Sequence, residues 1–512
     1  MLTWFTRAFA RRKNDGFSPS AASGDYRDVL FPDERAENEL PEWRPFFNPF
    51  NFRVHVTGSR VVSDAREAIL RGELVRAKEL TADVPRLMAP DESVAHMLDL
   101  TSGLHELRHF HDLFGTTWGF AHVSAIIDDG VEFSRVLSAL KQGGMLRLPL
   151  AAWASSAGAP LALSAYMRRR RKEVEWFDVV DGTTQPQRLP GRMDPTANVI
   201  VMILLKGVQA RLPAVPMNMT RLRDGAEYHV MVPLGARALM EGNAVVLQRA
   251  LLHELFGAAA ADRVMASLRT MRGDQAAVYL AVDRYLSSIF RAPFNATIQT
   301  NLADLAMMSA TYNEAADLPG LRLRRAAAAA YEQGGLTGPI DPLPYMDGIA
   351  RACEWLSSGE VVTRALREAD GHLANIPVAP SAWAHVLRAV VKTHRRILQI
   401  RQGVPGVLAD PHLYMAAIKY LPPPPVMLED GRLVVRGEDQ DAADGFAHWF
   451  LLESLQGQLL FSNRLQCPLS AMGVHTCGGD MLGKARWADN SGCEFARLVE
   501  TLGIRDCDIA TA

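Results

Sequence analysis

The chain has 512 residues, of which 48% are apolar and 22% charged. These proportions are ordinary for a globular protein, and the length allows a large buried core with roughly two to four structural units. Lys and Arg together number 55 and Asp and Glu 57, so the net charge of −2 gives no electrostatic footprint for nucleic acid.

The N-terminal segment MLTWFTRAFARRK places its apolar residues before its basic ones, which is the reverse of a secretory signal. No apolar run reaches the roughly 20 residues that a membrane span needs. Five cysteines in so long a chain are not the pattern of a disulfide framework. We therefore expect a cytoplasmic protein without stable membrane insertion, and these features leave its oligomeric state open.

Short strand patterns alternate with longer helical ones along the chain. Residues 1–50 predict an extended arm, because most of this segment is rich in Pro, Asp, Glu, Asn and Ser. Period-two or β-branched segments predict strands at 52–62, 174–180, 198–205 and 227–233. Apolar residues at helical spacing predict helices at 64–82, 94–114, 132–141, 235–256, 260–290, 302–315, 321–332, 346–370, 381–401 and 440–461.

Residues 421–425 predict a linker, because four consecutive prolines favour polyproline II and cannot continue a helix. The next segment, 426–435, predicts a β-hairpin whose turn is the Asp430-Gly431 pair. A helix and a cysteine-containing tail follow. A boundary between structural units is therefore expected at the prolines.

The helix predicted over 94–114 has one buried stripe and one polar stripe. Thr101 or Ser102 is expected to cap its start. The buried stripe is expected to consist of apolar residues at helical spacing: Leu100, Leu104, Leu107 and Phe114.

The polar stripe of this helix carries the pattern HExxH. His105 and His109 are one helical turn apart, so both imidazoles project from one face and can ligate the same ion. Glu106 is placed where a carboxylate can take a proton from water without itself being a ligand. Arg108 is a charged residue at a position that the motif usually leaves uncharged, and its side chain could point out to solvent.

This segment resembles the HExxH zinc metallopeptidases, the zincins. The metzincin branch would need Gly and His where this chain has Asp112 and Gly115, so that branch is excluded. The gluzincin-like branch takes a third ligand from a glutamate on a later helix, and Glu241-Gly242-Asn243-Ala244 resembles its segment. The resemblance covers roughly 30 residues in two short stretches.

The resemblance implies a site with one catalytic Zn²⁺ ion. Its metal ligands would be His105, His109 and Glu241, with one coordination position left for water. Glu106 would be the general base of amide hydrolysis and would pass the proton of water to the leaving amine. About 130 residues separate the two segments, so an inserted subdomain is expected between them.

Several other residues are candidates for supporting roles. Asp112 would orient His109 or, as a second possibility, ligate the ion directly. Tyr228 or His229 is nominated as a donor to the developing oxyanion. Further ligand candidates are Glu132, His253 and Glu254, whereas His111 is expected to be structural or to contact substrate.

The C-terminal tail contains a second group of metal-binding side chains. Cys467, His475, Cys477 and Cys493 could hold a structural zinc ion, although none of the gaps is a CxxC. The alternative interpretation is a set of reduced thiols.

The predicted fold class is α+β, predominantly α-helical, with a zincin-like metal helix, a small mixed sheet and a large helical C-terminal part. The expected units are the arm at 1–50, a zincin-like metal-binding domain with an insertion at 51–275, a helical domain at 276–425, and a hairpin, helix and cysteine-containing tail at 426–512.

The expected function is zinc-dependent hydrolysis of a peptide or protein substrate. Two other functions stay open: a metal-dependent oxygenase, and a regulatory or interaction protein whose metal site is structural or vestigial.

Overall fold

The computed structural model describes most of the chain between the first strand and the last. The described residues are 46–48, 53–56, 60–82, 90–170, 187–190, 201–205, 210–220, 227–270, 274–309, 317–334, 336–338, 340–377, 382–428, 433–435, 440–462, 498–499, 502, 504 and 508–511. Of the predicted arm only 46–48 falls within them, and the strand predicted at 174–180 lies outside.

The protein is predominantly helical, as predicted. None of the helices in these ranges is both long and apolar enough to cross a bilayer. The helices are α1 Arg60–Leu70, α2 Leu74–Thr81, α3 Pro90–Gly115, α4 Thr117–Lys141, α5 Leu150–Ala154, α6 Ala236–Phe256, α7 Ala258–Thr270, α8 Asp274–Phe290, α9 Ala296–Met307, α10 Pro319–Gln333, α11 Pro342–Ala352, α12 Ser358–Asn375, α13 Ala382–Gly403, α14 Pro411–Ala417 and α15 Gln440–Phe461. Residues 161–170 are also helical.

The strands form two four-stranded sheets and one two-stranded pair. They are β1 Phe46–Asn48, β2 Arg53–Val56, β3 Met145–Leu148, β4 Gln187–Pro190, β5 Val201–Leu205, β6 Ala210–Thr220, β7 Glu227–Pro233, β8 Pro425–Leu428, β9 Leu433–Val435 and β10 Asp508–Thr511. One sheet has the order β1-β2-β8-β9 and the other β4-β7-β6-β5, and β10 pairs with β3. All neighbours are antiparallel except the pairs β2-β8 and β3-β10.

Several predicted elements differ from the observed ones in their ends. The strand predicted at 52–62 is wrong in its second half, because β2 ends at Val56 and α1 begins at Arg60. The helix predicted at 346–370 is divided before Ser357, which caps α12 through a reciprocal hydrogen-bonded pair with Glu360. The long strand β6 was not predicted, because its two prolines argue against a central strand.

The predicted hairpin after the prolines is present as the antiparallel pair β8-β9, whereas its turn lies outside the described residues. Strand β8 also pairs with β2, in the register Val54 to Val426. A segment after the proline linker thus completes a sheet that begins near residue 46. The division of the chain into the four predicted units stays a prediction.

Two large apolar cores organise the helices. One surrounds α3, and the other fills the space between the β4-β7-β6-β5 sheet and helices α6, α8, α9 and α10. The predicted buried stripe of α3 is confirmed, with Leu104 and Phe114 fully buried. The predicted caps are wrong: α3 begins at Pro90, and the Thr101 hydroxyl donates within the helix to the Met97 carbonyl at 2.8 Å.

Candidate metal centre

Helices α3 and α6 pack against each other and bring the three predicted ligands together. One carboxylate oxygen of Glu241, Oε2, lies 3.0 Å from Nε2 of His105 and 3.2 Å from Nε2 of His109. The three side chains are the only group of three or more metal-ligating side chains found among the described residues. Both histidines are buried, with 5% and 6% of their surface exposed.

The pairing of the two helices is antiparallel and is held at a second point. Gln248, two turns after Glu241 on α6, donates from Nε2 to the Thr101 hydroxyl at 2.9 Å. Thr101 lies one turn before His105 on α3. The two contacts fix both the direction and the register of the helices, because sliding one helix by a turn would break both.

Helix α6 begins where the sequence predicts. Gly235 is its N-cap residue in extended conformation, and β7 ends just before it at Pro233. From this start, six residues of helix place Glu241 opposite α3. The carboxylate is therefore carried by a continuous helix whose start is fixed by the sheet, which gives it a defined position.

The pKa values of His109 and Glu241 are shifted in opposite directions, and both shifts favour the charged form of the side chain. Burial lowers the pKa of His109, but the Glu241 carboxylate more than offsets this and raises it to about 9. Burial likewise raises the pKa of Glu241, but the two histidines outweigh it and hold this pKa well below its usual range. At neutral pH the carboxylate is therefore ionised and can bind a cation.

The donor set fits a divalent transition metal. Zinc holds nitrogen and oxygen ligands at about 2.0–2.2 Å, so two ligand atoms of a tetrahedral site are about 3.3–3.5 Å apart. The observed 3.0 and 3.2 Å between carboxylate and imidazoles depart from this by only a few tenths of an ångström. Two imidazoles and one carboxylate could therefore hold a metal ion after a small outward shift of Glu241.

Glu106 lies next to this group without belonging to it. Its Oε2 is 4.0 Å from Nε2 of His109, and its side chain is 12% exposed. Glu106 is not one of the three side chains that could hold an ion, and a carboxylate at this distance from the group could act on a water molecule bound there. The role of a general base stays a prediction.

Arg108 and Asp112 form a buried ion pair on α3. Arg108 does not point out to solvent, because it is 1% exposed and donates from Nε to Asp112 Oδ1 at 2.9 Å. The ion pair forms because a fully buried guanidinium needs a counter-ion. Asp112 is consequently bound to Arg108, and it does not join the three-ligand group.

The remaining candidates lie in other surroundings. His111 is buried, donates from Nε2 to the Pro422 carbonyl at 2.9 Å and accepts from the Tyr414 hydroxyl at Nδ1. Glu132 forms ion pairs with Arg135 and Arg169 on the side of α4. His253 and Glu254 are both exposed near the end of α6.

One aromatic side chain beside the histidines was not foreseen. Tyr279 of α8 packs edge-on against His105, with 5.5 Å between the ring centroids. Of the two residues that were nominated, Tyr228 is buried in the core below the sheet and His229 is half-buried on β7. No sequence signal marks Tyr279, since it comes near the metal helix only through the packing of α8.

The second predicted metal group, Cys467, His475, Cys477 and Cys493, lies outside the described residues. Cys353 is within them and is a buried free thiol in the second core.

Comparison with protein-family models, with curated protein sequences and with solved structures gives no match for this chain. The chemistry of the site itself must therefore carry the functional inference.

Proposed function

We propose that this protein is a zinc-dependent hydrolase, and specifically a peptidase of the gluzincin-like type. The observation that carries the proposal is the meeting of Glu241 with His105 and His109 across 136 residues of sequence, at 3.0 and 3.2 Å. The same three residues were selected from sequence by the HExxH pattern and the Glu-Gly-Asn-Ala segment. Chance packing of a partly buried glutamate gives no reason for that agreement.

In this proposal, three residues hold the ion and a fourth residue, Glu106, moves a proton. A zinc ion supplies, when bound, a Lewis acid that polarises a carbonyl and lowers the pKa of water. His105, His109 and Glu241 would hold it, and their low exposure would exclude bulk solvent from the reacting atoms.

Glu106 would carry the proton through the reaction. It accepts a proton as the water oxygen attacks the carbonyl carbon, and it gives the same proton to the amide nitrogen as the C–N bond breaks. The peptide is thereby divided into an acid and an amine, with no oxidant or further reactant required.

The direct test is elemental analysis of the purified protein followed by a peptidase assay. We expect zinc near one equivalent per chain, hydrolysis of a mixture of internally quenched fluorogenic peptides, loss of hydrolysis with a chelator, and recovery on adding zinc. Iron in place of zinc would favour the oxygenase alternative. Stoichiometric zinc with no cleavage of any peptide would contradict the peptidase assignment and leave the metal centre standing.

The burial of the ligands supports one second candidate, a structural metal. Both histidines are at most 6% exposed, and a closed site between two long helices would stabilise their packing. A thermal melt with and without chelator separates the two functions. Large destabilisation on metal removal in a protein without hydrolytic activity would favour the structural role.

A further inference from the structure

The two ligand helices are both fastened to a third helix, α9, by neighbouring residues. Gln299 donates from Nε2 to the carbonyl oxygen of Gly242 at 3.0 Å, and Gly242 directly follows the ligand Glu241 on α6. The absence of a side chain at Gly242 makes this approach possible, because a Cβ there would lie 2.9 Å from Gln299 Nε2. The backbone next to Glu241 is thus held by a hydrogen bond from α9.

The next residue of α9 reaches α3 through a buried loop. Thr300 donates from its hydroxyl to the Ala409 carbonyl at 2.5 Å, and the adjacent Leu408 carbonyl accepts from Arg108 Nη2 at 2.6 Å. Arg108 immediately precedes the ligand His109. Two consecutive carbonyl groups therefore join α9 to the metal helix.

Packing of the same loop against α3 is close. A Cβ at Gly115 would lie 2.5 Å from a methyl group of Leu408, so this glycine makes room for the Leu408 side chain. Thr300, Gln299, Arg108 and Leu408 are all at most 4% exposed. The hydrogen bonds Gln299–Gly242 and Arg108–Leu408 have well-defined geometry, because a shift that broke them would leave the buried Gln299 amide or the Leu408 carbonyl without its partner. The Thr300 hydroxyl also lies 3.0 Å from the Thr297 carbonyl, and Nδ2 of Asn301 lies 3.4 Å from the Ala409 carbonyl.

We propose that α9 is the common support of the metal centre: Gln299 positions the Glu241 backbone, and Thr300, acting through Leu408, Ala409 and Arg108, positions the metal helix. These are positioning residues, since the hydrogen bonds that join them to α6 and α3 go through backbone carbonyl groups. The inference rests on the proposed metal centre and adds the reason why ligands on two separate helices stay within 3.2 Å of one another.

The test uses near-isosteric variants of the full chain with zinc and Co²⁺ as probes. Gln299→Met and Thr300→Val remove a donor while keeping the volume, and Thr300→Ser keeps the hydroxyl. Arg322→Lys is the matched control, because Arg322 binds carbonyls at the other end of α9, including that of Leu305 at 2.9 Å. Zinc affinity by chelator competition, the visible spectrum of bound Co²⁺ and the melting temperature are measured for each.

We expect Gln299→Met and Thr300→Val to bind zinc about tenfold more weakly, with a changed Co²⁺ spectrum, as for outer residues that orient metal ligands. Thr300→Ser and Arg322→Lys should keep wild-type affinity and spectrum even where they lower the melting temperature. If Gln299→Met does not fold, the zinc affinity and Co²⁺ spectrum of Thr300→Val, compared with those of Thr300→Ser, test the proposal.

Wild-type affinity and spectrum in both donor-deleted variants would overturn the positioning role alone. The positioning role would also be overturned if Arg322→Lys weakened zinc binding as much as Gln299→Met and Thr300→Val do. Wild-type protein that binds no zinc would instead remove the metal centre and with it this inference.

Discussion

Glu241 Oε2 lies 3.0 Å from His105 Nε2, although 136 residues separate the two along the chain. A partly buried carboxylate at this distance from an imidazole is either a hydrogen-bond acceptor or a fellow ligand of one ion. His109 also lies near this carboxylate, at 3.2 Å. This favours a shared ion, because two imidazoles and a carboxylate are a usual ligand set for one metal.

Removing any one of the three ligands should abolish stoichiometric metal binding. We expect His105→Ala, His109→Ala and Glu241→Gln each to lose more affinity than the roughly 10–100-fold typical of outer-shell changes, because a direct bond to the ion is lost. The measurement is zinc content after dialysis against a weak chelator.

The matched controls for the ligand variants are His253→Ala and Glu254→Gln, since both residues are exposed on α6. These controls should retain the ion. Full metal content in the double variant His105→Ala/His109→Ala would refute the proposed centre.

Glu106→Gln should keep the ion and lose turnover. The amide is nearly isosteric but cannot accept the proton of water, so kcat is expected to fall by about 10²–10⁴-fold with little change in zinc affinity. Peptide hydrolysis and zinc content are measured on the same preparation. Release of zinc by this variant would mean that Glu106 is a ligand, although it lies outside the group of three side chains that could hold an ion.

Metal-free protein should lose stability as pH rises. The pKa of His109 is raised from 6.5 to about 9, chiefly by Glu241 acting against the effect of burial. The charged pair stabilises the fold fully below pH 6.5, and its contribution of about 3 kcal/mol disappears as pH rises through 9.

Denaturant unfolding of chelated protein across this pH range measures that loss. The loss should be absent from Glu241→Gln, which lacks the carboxylate, and much reduced in zinc-loaded protein, where His109 is neutral. An unchanged free energy of unfolding between pH 6.5 and 9 in chelated wild-type protein would argue against the ion pair.

Acid should destabilise the fold through a different histidine. Burial lowers the pKa of His394 from 6.5 to about 4, and its Nδ1 lies 2.6 Å from the Phe114 carbonyl. A depressed histidine pKa means that the unfolded chain binds the proton first, so stability is kept above pH 6.5 and lost as pH falls toward 4.

At pH 5 the cost from His394 alone is about 2 kcal/mol. His394→Gln should therefore be less stable at pH 7 but show a shallower loss of stability between pH 6.5 and 4. The half-buried His385 on the same helix provides a control substitution. Equal slopes for wild type and His394→Gln would contradict the assignment.

The sequence by itself was informative wherever spacing along one helix decides geometry. His105, Glu106 and His109 needed only the helical repeat to be placed on neighbouring faces, and the buried positions of Leu104 and Phe114 followed from the same repeat. The start of α6 after Gly235 was also predictable, because a strand and a glycine precede it.

Contacts between segments that are distant in the sequence could not be predicted from spacing along one helix. Glu241 could be nominated only through resemblance of a short segment, and its distance to the histidines was decided by the packing of α6 on α3. Arg108 shows the same limit. A single arginine on a helix is usually exposed to solvent, and the sequence did not indicate that Asp112 and the Leu408 carbonyl accept its hydrogen bonds in the core.

Tyr279, Gln299 and Thr300 carry no pattern of their own and acquire their places from tertiary contacts alone. The physical reason is the range of the interactions involved. Local rules fix which face of a helix a residue occupies, whereas burial, desolvation and hydrogen bonding between helices determine what that face meets. The sequence therefore determined the helix that carries His105, Glu106 and His109, and only the tertiary structure decided what surrounds it.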